Sequence, residues 1–290
     1  MGAASPDFPG DGSLCPNLKE ALFLSIRLVA VDLDDTLLDS SASVPSRVLD
    51  ALTAARARGV FVTVATGRMR TSAAPYADLI GADAPFICYN GAMIVDPASG
   101  TVLAHHPIHL GVAREVLSLF RIMGWYIQSY LNDKLLVRTL EDPRARAYAE
   151  LARVPAIPLG DDLYFPSEAP TKLLAIAGEK DDLEDMARCT RACFGRRLYA
   201  ARSKARYLDI AAPEVNKGMG LAEVARILGV PMNEVLAVGD SDNDAEMIAA
   251  AGVGVAMGNG SEKARTAADW IAPGNDEAGV AAALEKYVLI

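Results

Sequence analysis

Four carboxylates crowd the end of one apolar run. In LVAVDLDDTLLD, residues 28–39, Asp32 is followed by Asp34, Asp35 and Asp39. Two unit charges about 4 Å apart repel by roughly 4 kcal/mol at an effective dielectric near 20. Such a cluster at the end of a buried strand calls for a cation or a function. Asp32 and Asp34 are two residues apart, so on an extended chain they start from the same face. A pair of this kind can divide labour, one carboxylate attacking as a nucleophile and the other moving protons. Other candidate chemistry is spread along the chain: Thr66-Gly67-Arg68, Asn90-Gly91, Lys217, and Gly239-Asp240 with Asp244.

These residues share a position relative to the elements that must carry them. RLVAVDL is a near-continuous apolar run, as expected of a strand buried on both faces of a parallel sheet. VPSRVLDALTAARARG predicts a helix, with Ser43 as N-cap, Pro45 in the first turn and Gly59 past its end. VFVTVAT is a second strand, MRTSAAPYADLIG a helix ending at Gly81, and PFICYN a third strand. This βαβαβ pattern implies a parallel sheet with right-handed crossovers. The last third alternates in the same way, with strands in RYLDIAA, EVLAVGD, VGVAM and DWIA, and helices in NKGMGLAEVARILG, NDAEMIAAAG and DEAGVAAALEKYV. The middle third differs. WYIQSYLNDKLLVRT alternates around Asn132-Asp133 and reads as a β-hairpin, followed by helices and strands of an α+β module. The expected organisation is a tail over 1–24, loosely ordered, a Rossmann-like α/β core from 25–107 and 204–290, and an inserted α+β cap over 108–203. In open parallel sheets ligands bind at the carboxyl ends of the strands, and the candidate residues all stand at predicted strand ends or helix starts.

The sequence resembles the haloacid dehalogenase (HAD) superfamily of phosphohydrolases, and within it the Cof-type sugar-phosphate phosphatases with a large α/β cap. Four motifs carry the resemblance in order: DLDDT at 32–36, ATGR at 65–68, NKG at 216–218 and GDSDND at 239–244. YNGA and GVAMGNG are similar to family segments too. The resemblance implies Asp32 as the nucleophile that becomes an aspartyl phosphate, and Asp34 as the acid that protonates the leaving group and then helps activate water. It implies Mg²⁺ held by Asp32, Asp240 and the Asp34 backbone carbonyl. Lys217 and Thr66 would stabilise phosphoryl oxygens, and Asp244 would hold a metal-bound water or orient Lys217. Asn243 would contact phosphate or such a water. Gly67, Arg68 and Asn90 belong to the supporting loops. Arg68 is read either as a partner for a motif carboxylate or as a loop cap. Tyr130 and Arg138, near the hairpin, are the expected substrate-selecting residues of the cap. Two positions depart from the family: Asp35 stands where many relatives carry Gly and reads as a turn residue, and Asn259-Gly260 replaces the commoner Asn-Ala.

Composition limits the alternatives. The chain has 290 residues, 51% hydrophobic, with net charge -9, enough apolar material for a packed core and a poor electrostatic match to nucleic acid. No apolar run is long enough for a membrane span. The first residues lack the basic start of a secretory signal. Cys15, Cys88, Cys189 and Cys193 form no CxxC, which fits a reducing cytoplasm. Cys189 and Cys193 read as small residues on one helix face. His105, His106 and His109 read as part of a solvent-facing strand at the domain junction. GVGVAMGNG lacks the strand–loop–helix context of a dinucleotide site. The expected function is therefore a cytoplasmic Mg²⁺-dependent phosphatase of small phosphorylated metabolites, with no protein partner. The alternatives are a phosphohexomutase of the same superfamily, or a metabolite-binding protein without catalysis.

Overall fold

Strand β1 (Leu28–Val31) is completely buried and shows why the core forms as it does. Val29 and Val31 pack among Val48, Leu52, Val280 and Leu284, while Leu28 and Ala30 pack among Leu221, Val224 and Ala225. Both faces of the strand are thus covered by helices, as a parallel sheet requires. The computed structural model describes residues 25–179 and 181–290. The tail expected over 1–24, with Cys15, lies outside the described residues.

After β1 come α1 (Ser46–Ala57), β2 (Phe61–Val64), α2 (Arg70–Leu79), β3 (Phe86–Cys88), β4 (Met93–Val95) and β5 (Val102–His105). The middle of the chain forms α3 (Leu110–Met123), β6 (Ile127–Leu131), β7 (Lys134–Val137), α4 (Pro143–Ala152), β8 (Ala156–Pro158), β9 (Lys172–Ile176), α5 (Leu183–Phe194), β10 (Tyr199–Lys204) and β11 (Tyr207–Ala211). The remainder is α6 (Lys217–Leu228), β12 (Val235–Gly239), α7 (Ala245–Ala250), β13 (Val253–Ala256), α8 (Glu262–Ala267), β14 (Trp270–Ile271) and α9 (Gly279–Tyr287). Five strands make a parallel sheet in the order β14-β13-β12-β1-β2. The chain is an α/β protein with a Rossmann-like parallel core and a separate α+β cap.

Two details of the core differ from the sequence expectation. The N-cap of α1 is Pro45, not Ser43. The backbone N–H of Ser43 is instead taken by the Asp39 carboxylate at 3.0 Å, which closes the preceding turn. PFICYN is a strand only to Cys88, after which the chain doubles back through β4 and β5 as a small antiparallel sheet.

The cap sheet has the order β10-β11-β9-β6-β7-β8. The hairpin of β6 and β7 turns at Asn132 and Asp133, with φ of 51° and 56°, the left-handed pair of a two-residue hairpin turn. Helices α3 and α5 cover the outer face, where Phe120 and Met186 meet Leu173 and Ile210. The inner face turns toward the core. RYLDIAA, expected as a core strand, is β11 of this sheet: Asp209 pairs antiparallel opposite Leu174 of β9. The cap sheet therefore reaches to Ala211, beyond residue 203. An apolar strand of this length suits either sheet, and only the pairing with β9 decides.

Core and cap meet through polar contacts. The Asp133 carboxylate at the hairpin tip accepts from the backbone N–H of Arg70 (3.0 Å) and Thr71 (3.0 Å), from Arg70 Nε (3.3 Å) and from the Tyr89 hydroxyl (2.7 Å). The side chain of α2's own N-cap residue, Met69, makes no such bond. The cap thus caps a core helix across the interface. The Ser72 hydroxyl also donates to the Ala152 carbonyl at 2.9 Å.

Candidate active site

β1 and β12 end side by side, and that adjacency builds the centre of the site. Asp32 follows β1, and its backbone N–H donates to the Val238 carbonyl at 3.0 Å. Asp240 follows β12. The turn after Asp32 brings the Thr36 hydroxyl to Asp240 Oδ1 at 2.7 Å, and Ser241 Oγ donates to Asp240 Oδ2 at 2.8 Å. Asp244 folds back beneath this loop, where its Oδ2 accepts from the backbone N–H groups of Asp240 (3.1 Å) and Ser241 (2.8 Å). Gly239 permits the fold-back: a Cβ there would stand 2.5 Å from the Asp244 Cβ.

Lys217 opens α6, whose N-terminus is capped by Asn216 Oδ1 accepting from the Met219 N–H at 2.8 Å. Its ammonium stands 2.5 Å from Asp32 Oδ1 and 2.5 Å from Asp244 Oδ1, fully buried. Burial pulls the lysine toward neutrality, but the Asp244 and Asp32 carboxylates outweigh it and hold the ammonium charged. Two buried carboxylates share this ammonium, and a third, Asp240, stands close by. Burial among like charges consequently pushes Asp32 well above the usual carboxylate range, with Lys217 opposing. Burial and Asp244 push Asp240 up to about 6. Oxygens of Asp32, Asp240 and Asp244 lie within 4.8 Å of one another. An all-oxygen donor set with excess negative charge fits a hard divalent cation.

Asp34 takes a different course from Asp32. The chain leaves β1 in an irregular turn, with Asp34 extended and Asp35 left-handed at φ 62°. Asp35 thus occupies a conformation that costs an L-residue and that glycine adopts freely. The Asp34 carboxylate is held by both ends of the Arg68 guanidinium, Nε to Oδ2 at 2.9 Å and Nη2 to Oδ1 at 2.7 Å. Arg68 lies over the Tyr76 ring, 4.8 Å from its centroid. Of the two readings of Arg68, the pairing with a motif carboxylate is the one observed. Thr66 is fully buried, its hydroxyl accepting from the Arg68 N–H at 3.1 Å. Asn90 Oδ1 accepts from Asn243 Nδ2 at 3.0 Å, and Gly67 leaves room for that oxygen, which would stand 2.8 Å from a Cβ.

A cleft of about 330 Å³ lies between core and cap. Asp32, Asp34, Gly67, Arg68, Lys217 and Asn243 line its floor, and Tyr148, Lys172, Tyr207 and Asp209 line its roof. Two sequence candidates are not brought to it. Arg138 pairs with Asp161 at 3.0 Å beside a separate cap depression. Tyr130 is buried where cap meets core, its ring 5.7 Å from that of Tyr89 and its hydroxyl accepting from Gln128 Nε2 at 2.9 Å. The roof residues Lys172 and Asp209 escaped sequence reasoning, although each is a charge inside an otherwise apolar strand, TKLLAIAG and RYLDIAA. Charges in buried strands are paired or functional. Among the described residues, no helix is long and apolar enough to cross a membrane.

Comparison with known proteins gives a consistent result. The sequence pattern of haloacid dehalogenase-like hydrolases matches residues 29–284. The phosphatase YwpJ of Bacillus subtilis is 30% identical over 283 residues, covering 88% of this chain and 98% of that protein. The 5-amino-6-(5-phospho-D-ribitylamino)uracil phosphatase YitU of the same organism is 28% identical, covering 90% of this chain and 97% of that protein. A solved phosphatase of the HAD superfamily from Bacteroides thetaiotaomicron superposes with a TM-score of 0.79 at 28% identity, covering 97% of this chain and 100% of that one.

Proposed function

The chain belongs to the haloacid dehalogenase-like hydrolases and is a phosphoric monoester hydrolase; from that premise we propose that it is a cytoplasmic, Mg²⁺-dependent phosphatase of small phosphorylated metabolites, sugar phosphates in particular, working through an aspartyl phosphate. The observation that carries this reading is the Lys217 ammonium bridging Asp32 and Asp244 at the floor of a capped cleft. Asp32, Asp240 and Asp244 would hold the cation, with the Asp34 backbone carbonyl as a further oxygen. When bound, it supplies positive charge that offsets the carboxylates and the incoming phosphate.

The residues of the chain then divide the work. Lys217 holds the Asp32 carboxylate in place and offsets charge on the phosphoryl oxygens. Asp32 attacks phosphorus, forming an acyl-phosphate (mixed anhydride) bond as the ester bond to the leaving oxygen breaks. Asp34, in protonated form, gives its proton to that leaving oxygen. Water next attacks the aspartyl phosphate, Asp34 takes the proton from the water, and Asp32 is released as phosphate departs. Asp34 must let go of Arg68 to carry a proton, so the observed ion pair is a resting state. Thr66 supports the loop of Gly67 and Arg68 from beneath, and Asn243 with Asn90 forms the cleft wall. The α+β portion acts as the lid that excludes water and selects the leaving group, with β11 on its side of the boundary. The unpaired Cys88, Cys189 and Cys193 suit a reducing compartment.

Phosphate release from a panel of sugar phosphates, with Mg²⁺ and with chelator, tests the reading. Turnover should require Mg²⁺ and should fall by a factor of at least ~10³ in Asp32→Asn. Undiminished turnover by that variant would remove Asp32 as the nucleophile.

A further inference from the structure

The cap carries a buried ion pair that the reaction does not use. Lys172 on β9 and Asp209 on β11 are in contact, with side chains only 6% and 5% exposed. Asp209 stands opposite Leu174, two residues from Lys172, so both charges project from the inner face of the sheet. Both line the roof of the cleft. The Lys172 ammonium also reaches the Gly67 carbonyl at 3.4 Å, within the loop that carries Arg68. Stability does not account for the pair, because an apolar pair of similar size is usually as stable or more so in a buried setting. Beyond the lysine, no hydrogen-bond partner among the described residues reaches Asp209 Oδ1. A buried acceptor and an ammonium donor therefore stand side by side over the reaction centre.

We propose that Lys172 and Asp209 form the subsite that selects a neutral, polyhydroxylated leaving group. A hydroxyl both donates and accepts, so adjacent hydroxyls match an acceptor and a donor placed together. The pair is neutral as a unit, and the floor below already presents Asp32, Asp34 and Asp35. A leaving group with a second negative charge meets repulsion there. The Tyr148 and Tyr207 rings, 5.8 Å apart, provide apolar surface for the carbon face of a sugar or polyol. This inference rests on the phosphatase reading and names what that same cleft recognises. A cleft of 330 Å³ is the size of a small-metabolite site.

The test compares esters of equal chain length. The wild-type enzyme should hydrolyse sorbitol 6-phosphate with a kcat/KM at least about tenfold above that for n-hexyl phosphate, because a site built to hydrogen-bond hydroxyls rejects an analogue lacking them. It should likewise prefer sorbitol 6-phosphate to gluconate 6-phosphate, which adds one carboxylate. In Asp209→Asn, and in the paired Lys172→Gln/Asp209→Asn variant should the single change fail to fold, the sorbitol-to-hexyl ratio should drop at least about fivefold. A wild-type ratio near one, equal use of the gluconate ester, or an unchanged ratio in a folded variant overturns the subsite while leaving the phosphatase reading intact. A wild-type enzyme inert toward all three esters overturns the phosphatase reading, and the subsite with it.

Discussion

Asp133→Ala should loosen the cap without unfolding the core. The carboxylate is 7% exposed and accepts from two backbone N–H groups of α2, the Tyr89 hydroxyl and Arg70 Nε. Loss of a helix N-cap costs about 1 kcal/mol. Loss of a hydroxyl bond to a buried carboxylate costs about 1.5 kcal/mol. The Arg70 ion pair adds about 0.5 kcal/mol, because that side chain is 37% exposed and screened. Together these weaken the closed state by about 3 kcal/mol, roughly a hundredfold in the closed-to-open ratio. The freed donors reach water once the cap swings away, so the loss appears as opening rather than as global unfolding. Hydrogen exchange reads it directly. The amides of Arg70 and Thr71 should exchange about 10- to 100-fold faster, while amides in the interior of β1 keep their protection. Asp133→Asn keeps one acceptor oxygen and should fall between the two. Unchanged exchange at Arg70 and Thr71 in Asp133→Ala would refute the claim that the cap hairpin holds this helix end.

Other expectations follow from the same geometry. Lys217→Met leaves Asp32 and Asp244 buried without their counter-charge and should lower stability by about 3–5 kcal/mol in metal-free buffer; a denaturant titration showing under about 1 kcal/mol would contradict that. Asp240, raised from 3.8 to about 6, binds its proton more tightly folded than unfolded. Its contribution to stability is therefore complete below about pH 4 and lost as pH rises through about 6, a change of order 3 kcal/mol without metal. Mg²⁺ competes with that proton, so it should raise Tm more near pH 8 than near pH 5; equal increments at both would count against Asp240 as a ligand. Asp35→Gly relieves the left-handed residue at φ 62° and should change stability by about 0 to +1 kcal/mol, whereas Asp35→Val should cost about 1–2 kcal/mol, both measured from chemical denaturation midpoints.

Much of the molecule is legible one segment at a time. Buried parallel strands are continuous apolar runs, so β1, β2 and β12 announce themselves, and the acids that end them stand out against that background. The Asn132-Asp133 turn is equally plain, since few residue pairs adopt two consecutive left-handed conformations. Asp35 shows how a local rule and a family departure meet: the backbone there is left-handed, which is why glycine suits the position and aspartate is tolerated.

What the sequence by itself determined is the set of chemical groups and the elements that carry them: carboxylates at strand ends, a lysine opening a helix, and an inserted module between two α/β portions. The tertiary structure decided which groups meet. Asp34 turns to Arg68 because the ends of β1 and β2 lie side by side. β11 joins the cap because its register matches β9. Lys172 and Asp209 line the cleft from the inner face of β9 and β11, whereas Tyr130, on that same face beside Lys172, packs against Tyr89 and Tyr148, and Arg138 lies past the end of β7. Periodicity and propensity act over a few residues, whereas each of these contacts joins residues far apart in the chain, and only sheet pairing and the docking of cap on core bring them together.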